Sequence, residues 1–124
     1  MNASAQGLFS NLQSLISIFS SPNLSVLEIL YEDENLIAIN KPSGILVHRT
    51  SIAPEETVFA LQLLRDQIGQ WVSPVHRLDR PTSGVLLFSK RKEILTLLKE
   101  QFMERTVEKT YLAVVRGIPE VKEA

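Results

Sequence analysis

The sequence predicts an α+β domain in which a mixed or antiparallel sheet is flanked by two helices. Two short apolar runs, LIAIN at 36–40 and VLLFS at 85–89, are bounded by turn-forming residues, as strands are. Two longer stretches, 54–68 and 89–102, place apolar side chains at helical spacing. No internal period suggests a repeat architecture. A chain of 124 residues holds one domain with a modest core, and 44% apolar with 22% charged residues is the composition of a globular protein.

The first 27 residues carry no charged side chain and seven serines. Leu8, Leu12, Leu15, Ile16 and Phe19 recur at helical spacing, which predicts a short amphipathic helix ending before Pro22. Without a basic start or an unbroken apolar run, this stretch is not expected to act as a secretory signal or a membrane span. Residues 1–24 are therefore read as an appended, loosely ordered extension, with a partner-binding helix as the alternative, and residues 25–124 as the domain.

Within the domain, Val26, Leu27, Ile29 and Leu30 predict a first strand, YEDEN (31–35) a turn, and LIAIN a second strand ended by the breaker KPSG (41–44). ILVH (45–48) is expected to resume extended structure. Val58, Leu61, Leu64 and Ile68 mark a helix over 54–68, with Pro54 in its first turn and Gly69 just past its end. WVSPV (71–75) and VLLFS read as strands. Ser89 is placed to cap a helix to about Phe102, with Ile94, Leu95, Leu98 and Phe102 as its apolar stripe. Lys90, Arg91 and Lys92 then crowd a helix start, where the dipole disfavours cations, which hints at a job outside folding. TVEKTYLAVVRG (106–117) alternates like a strand, with Lys109, Tyr111, Ala113 and Val115 on one face.

The net charge of −1 does not mark a nucleic-acid binder, but its distribution is uneven. Residues 25–70 carry three Lys/Arg against seven acids, and residues 71–116 carry nine against five. The second half can thus present a positive patch to a polyanion, although solvated helix faces fit the same counts. The chain has no cysteine, so disulfides and thiolate metal sites are excluded and a reducing, cytoplasmic setting suits it. His48 and His76 cannot complete a structural zinc site, and no metal is expected.

The segment HRLDRPTSG (76–84) sets one carboxylate, Asp79, among Arg77, Arg80 and His76, just before a turn with Thr82, Ser83 and Gly84. Arg77 and Arg80 are expected to hold Asp79 ionised, since a nearby cation favours the carboxylate. Such an acid is either a structural ion pair or a nucleophile. Its position at a strand–loop junction, where a scaffold holds a group that solvent can still reach, favours the nucleophile. Pro42-Ser43-Gly44 by itself is a turn, and Tyr111 by itself is a strand tyrosine with its hydroxyl at the core rim.

HRLDRPTSG resembles the signature of the RluA-type pseudouridine synthases. LEILYEDENLIAINKPSGILVHR (27–49) is similar to that family's opening strands and NKPSG loop, and KTYLAVVRG (109–117) to its later tyrosine motif. DQIGQWV, before the signature, is closest to a branch acting on tRNA that lacks an N-terminal S4-like RNA-binding domain. The resemblance implies a partial catalytic domain of this family. Uridine in RNA would be isomerised by a monomer without cofactor or metal, at a uridine low in the tRNA T stem. It implies Asp79 as nucleophile and Tyr111 as the tyrosine that stacks on uracil and helps remove the C5 proton. Arg77, Arg80 and Lys109 would contact RNA phosphates, while Lys41, Ser43, His76, Thr82, Ser83 and Gly84 would support the site.

Family members continue past the tyrosine motif to a basic residue that pairs with the aspartate, so the resemblance also implies that residues 25–124 form the N-terminal part of the domain. A substrate base must be flipped out of its stack to reach Asp79. Ribosomal RNA as substrate, an RNA-binding fragment without turnover, and a purely structural domain are the alternatives.

Overall fold

A computed structural model of the protein describes residues 26–118 and 120, so the 1–24 extension and its expected helix lie outside the described residues. Four strands, β1 (Glu28–Glu32), β2 (Leu36–Lys41), β3 (Ser73–Pro74) and β4 (Gly84–Ser89), form one sheet in the order β1-β2-β4-β3. Every neighbouring pair is antiparallel, which decides between the mixed and antiparallel expectations. Helix α1 (Ala60–Ile68) precedes β3, and α2 (Lys92–Met103) follows β4.

The β1–β2 turn is tighter than the expected 31–35, because Tyr31 and Glu32 belong to β1. Asp33 makes it: its Oδ1 accepts the amides of Asn35 and Leu36 at 2.7 and 2.8 Å, and its own N–H donates to the Leu36 carbonyl at 3.0 Å. The amides of Leu36 and Asn35 hold the Asp33 carboxyl below the usual carboxylate range. A bulge between Ile29 and Tyr31 shifts the register of β1.

Alternation along the paired strands puts Ile37 and Ile39 of β2 beside Phe88 and Leu86 of β4 on one face. All four are fully buried, in one cluster with Leu27, Val47, Val72, Leu78 and, from α1, Ala60 and Leu64. Each such side chain contributes about 1.5–3 kcal/mol on burial. By contrast α2 has no fully buried residue, and its predicted stripe (Ile94, Leu95, Leu98, Phe102) is half-buried.

Helix α1 starts six residues later than Pro54 suggests. Its first amides, those of Ala60 and Leu61, donate to the carbonyls of Leu46 and Val47, both at 2.9 Å, and no side chain caps it. The ILVH stretch is accordingly no strand; it touches the chain ahead of α1 through a lone parallel bridge between Leu46 and Phe59. The helix stop is where the sequence puts it: Gly69 takes φ 64° and donates to the Arg65 carbonyl at 2.9 Å.

Ser89 does not cap α2. It ends β4 fully buried, and its hydroxyl donates to the Arg91 carbonyl at 2.6 Å, folding the link to a helix whose N-cap residue is Arg91. Nor do three cations crowd the first turn, since only Lys92 lies in the helix. Lys90 binds Glu32 at 2.7 Å and the Asp33 carbonyl at 2.8 Å, tying β4 to the β1–β2 turn. WVSPV contributes only the two-residue β3. Finally, 106–117 has no strand at all: Leu112 and Val114 are fully exposed, because alternation supplies faces but not a partner for the ladder. No helix among the described residues is long and apolar enough to cross a membrane.

Candidate active site

In the β2–β4 ladder Lys41 faces Gly84, so the KPSG loop leaving β2 and the HRLDRPTSG loop entering β4 meet at one end of the sheet. The two loops are fastened to each other. Gly44, at φ 96°, donates its amide to the Arg80 carbonyl at 2.7 Å, and Ser43 Oγ donates to the Pro81 carbonyl at 2.8 Å. The fully buried Lys41 sends Nζ to the carbonyls of Pro42, Arg80 and Thr82, at 2.9, 3.2 and 2.8 Å. Burial pushes the Lys41 ammonium below its ordinary pKa, and the negative charge of Asp79 opposes that shift.

Asp79 opens a turn closed by the Thr82 amide on the Asp79 carbonyl at 3.0 Å. Leu78, one residue earlier, is buried in the core, while Asp79 is exposed. Among the described residues its carboxylate has neither a salt bridge nor a hydrogen bond. The expected pairing with Arg77 and Arg80 is therefore not formed. Arg80 turns instead to Glu56, with which it makes a salt bridge, and Arg77 is exposed. Adjacency in sequence does not set side-chain direction, and a partner 24 residues away captures Arg80.

His76 is half-buried beneath the loop. Its Nε2 accepts the Leu87 amide at 3.1 Å, and its ring stacks on Phe102 of α2, centroids 4.6 Å apart and planes 11° apart. Burial holds its pKa below the ordinary histidine value; the Arg77 backbone opposes and the Lys109 charge adds to that shift. Lys109 itself lies with Nζ 5.8 Å from the Phe102 ring centroid, a cation–π contact.

A groove of about 830 Å³ runs between β4 and the 107–112 segment. Six of the residues singled out in the sequence line it: His76, Thr82, Ser83, Gly84, Lys109 and Tyr111. Asp79, Arg77, Arg80, Lys41 and Ser43 do not, although Leu78, Pro81 and Thr82 on either side of Asp79 and Arg80 do. Tyr111 is 59% exposed, so it is a groove-wall residue rather than the core tyrosine of the simplest reading. Sequence reasoning missed Glu56, which no local spacing signals, and the stacking role of Phe102, which appeared only as part of an apolar stripe.

The sequence model of the family described as RNA pseudouridylate synthase matches residues 35–124. This chain belongs to that family. It is 61% identical over 98 residues to the tRNA pseudouridine synthase C of Haemophilus influenzae, covering 79% of this chain and 41% of that protein. To the protein of the same name in Haemophilus ducreyi it is 63% identical over 91 residues, 73% of this chain and 37% of that protein. The chain thus spans about two-fifths of the length of the curated relatives it matches. Among solved structures it is similar to Human RNA Pseudouridylate Synthase Domain Containing 4, with TM-score 0.52 and 29% identity over 64% of this chain and 30% of that one. A second, Human RNA Pseudouridylate Synthase Domain Containing 1, has TM-score 0.55 and 22% identity over 69% and 31%, and supports the fold alone.

Proposed function

We propose that the protein isomerises uridine to pseudouridine in tRNA, with Asp79 as nucleophile. The observation that carries this is the exposed Asp79 carboxylate on a turn whose backbone is fixed by a second loop, in a chain 61% identical to a tRNA pseudouridine synthase C. The net change is an isomerisation. The N1–C1′ glycosidic bond breaks, the uracil rotates, and C5 joins C1′ while the proton on C5 is lost and N1 gains one. No electrons are exchanged with a third party, and the protein's task is to hold the sugar and the detached base together.

In this reading Asp79, next to the groove-lining Leu78, attacks the flipped nucleotide, and the bond it forms breaks again when C5 joins C1′, which returns the free carboxylate. Tyr111, on the groove wall, stacks on the uracil and assists loss of the C5 proton. Lys109 shares that groove and Arg77 is exposed, so both are available for phosphates. Arg80 can join them only by leaving Glu56. Lys41, Ser43, His76, Thr82, Ser83 and Gly84 hold the turn and groove. A T-stem uridine as target, a monomeric state and a cytoplasmic setting complete the proposal.

The test is incubation of the protein with unmodified tRNA transcripts, followed by carbodiimide mapping of pseudouridine. A modified T-stem uridine supports the proposal. A second reading, RNA binding without turnover, draws on the exposure of Tyr111, which leaves the groove open to solvent on its side. It predicts binding that is indifferent to Asp79→Asn, and no pseudouridine.

A further inference from the structure

We propose that Phe102 is a positioning residue for Tyr111: its ring, stacked on His76 and in cation–π contact with Lys109, seats the 107–112 segment along the groove. The kinetic consequence of this role rests on the reading of Tyr111 as the residue that stacks on the uracil.

The tyrosine segment has little else to hold it. Between Val107 and Ile118 no residue makes a hydrogen bond or a salt bridge among the described residues, and no strand includes it. Val107 is half-buried, and every residue from Glu108 to Ile118 is exposed. One directed contact remains, Lys109 Nζ at 5.8 Å from the Phe102 ring centroid.

The surroundings of Phe102 fit it for that contact. It lies half-buried on the last turn of α2, and the His76 ring stacked on it at 4.6 Å restrains its plane. His76 is fixed in turn by the Leu87 amide on Nε2, so the phenyl ring is tied to β4. Just past the helix the chain reverses. Arg105 takes φ 58°, a left-handed backbone that a residue other than glycine adopts at a cost, and its amide donates to the Phe102 carbonyl at 3.3 Å. Thr106 donates both its amide and its hydroxyl to the Gln101 carbonyl, each at 3.1 Å. Beyond that turn Lys109 and Tyr111 both reach the groove that Phe102 and His76 line. An apolar side chain of any shape would cover α2. A flat π surface is needed to stack an imidazole and to attract an ammonium.

The test compares the full chain with Phe102→Leu, which keeps apolar volume without a ring, and with Phe102→Tyr, which keeps the ring. The amide heteronuclear NOE at Lys109 and Tyr111 reports whether the segment is seated. Amide exchange at Leu87 reports the bond to His76, and exchange at Leu64 in α1 reports global stability. Single-turnover pseudouridine formation and the dissociation constant for the same tRNA transcript are measured alongside. In Phe102→Leu the NOE at Lys109 and Tyr111 should fall to that of a free tail, with Leu87 and Leu64 exchange within twofold of wild type. Turnover should be at least tenfold slower with tRNA binding within threefold, since Lys109 keeps its charge. Phe102→Tyr should keep the NOE and turn over within threefold of wild type. A residue that merely stabilised the fold would speed exchange at Leu64 and leave the turnover of the folded fraction intact.

An NOE at Lys109 and Tyr111 that is equal in wild type and Phe102→Leu overturns the proposal. So does faster exchange at Leu87 with the segment unmoved, which would make Phe102 a support of His76 alone. Unchanged turnover once the segment has loosened, or a Phe102→Tyr chain as loose as Phe102→Leu, overturns it as well. If the wild-type chain forms no pseudouridine, the proposed function fails while the NOE arm still decides whether Phe102 seats Tyr111. Should Phe102→Leu not fold, Phe102→Met is measured in the same way. Collapse of both variants makes Phe102 a structural residue and overturns the proposal.

Discussion

His76 and Phe102 stack face to face with centroids 4.6 Å apart, joining the start of the signature loop to the last turn of α2. The same imidazole accepts the Leu87 amide through Nε2, so it serves the fold as a neutral ring. Burial keeps its folded pKa below the ordinary value of about 6.5. The unfolded chain then takes up the proton first as pH falls. The contribution is fully present above about pH 6.5 and is lost as pH drops toward the folded pKa. Urea unfolding at pH 7.5 and 5.5 should give a lower midpoint at pH 5.5. The difference should shrink in His76→Phe, and an equal difference in that variant would refute the assignment.

The Arg80–Glu56 salt bridge predicts a second outcome. The pair is partly exposed, so Glu56→Gln should cost at most about 1 kcal/mol of stability. It frees a guanidinium beside Asp79, and tRNA binding at moderate salt should tighten severalfold. Arg80→Ala should weaken binding and reduce the slope of log affinity against log salt by about one. Filter binding across a salt series checks both; equal affinity in wild type and Glu56→Gln would mean that Arg80 does not meet the RNA.

What the sequence made legible, and what it hid, divides along a physical line. Strands β2 and β4 and the α1 stop at Gly69 follow from side-chain patterning and local backbone preference, which are written in neighbouring residues. The α1 start was hidden because its first amides are satisfied by Leu46 and Val47 across the fold, not by a local cap. The alternation of 106–117 was readable, but a ladder needs a partner that alternation does not specify. At the site, the motif pointed to Asp79 and to the two loops that meet there. Arg80 turning to Glu56 and Lys41 reaching the Thr82 carbonyl are contacts across 24 and 41 residues, the first to the chain ahead of α1 and the second set by the register of β2 on β4.

The two faces of the sheet should respond differently to truncation. Phe88→Ala empties a fully buried position and should cost about 3–5 kcal/mol. Leu95→Ala, in the half-buried stripe of α2, should cost clearly less. Urea midpoints compare the two, and similar losses would show that the α2 side carries as much of the core as the α1 side.

Two glycines separate stability from function. Gly44 at φ 96° and Gly69 at φ 64° both hold a backbone that L side chains resist, with open space where a Cβ would go. Alanine at either should destabilise by about 1–2 kcal/mol. Only Gly44→Ala disturbs the amide that holds the Arg80 carbonyl, so it alone should slow pseudouridine formation by the folded protein. Equal slowing in Gly69→Ala would point to a general stability effect.

The most direct test of the account is Asp79→Asn. The side chain is exposed and its carboxylate has no partner among the described residues, so the amide should leave folding unchanged. On unmodified tRNA transcripts, wild type should yield an alkali-resistant carbodiimide adduct at a single T-stem uridine. The variant should bind the same RNA with similar affinity and yield none. Pseudouridine formed by Asp79→Asn at the wild-type rate would contradict the account.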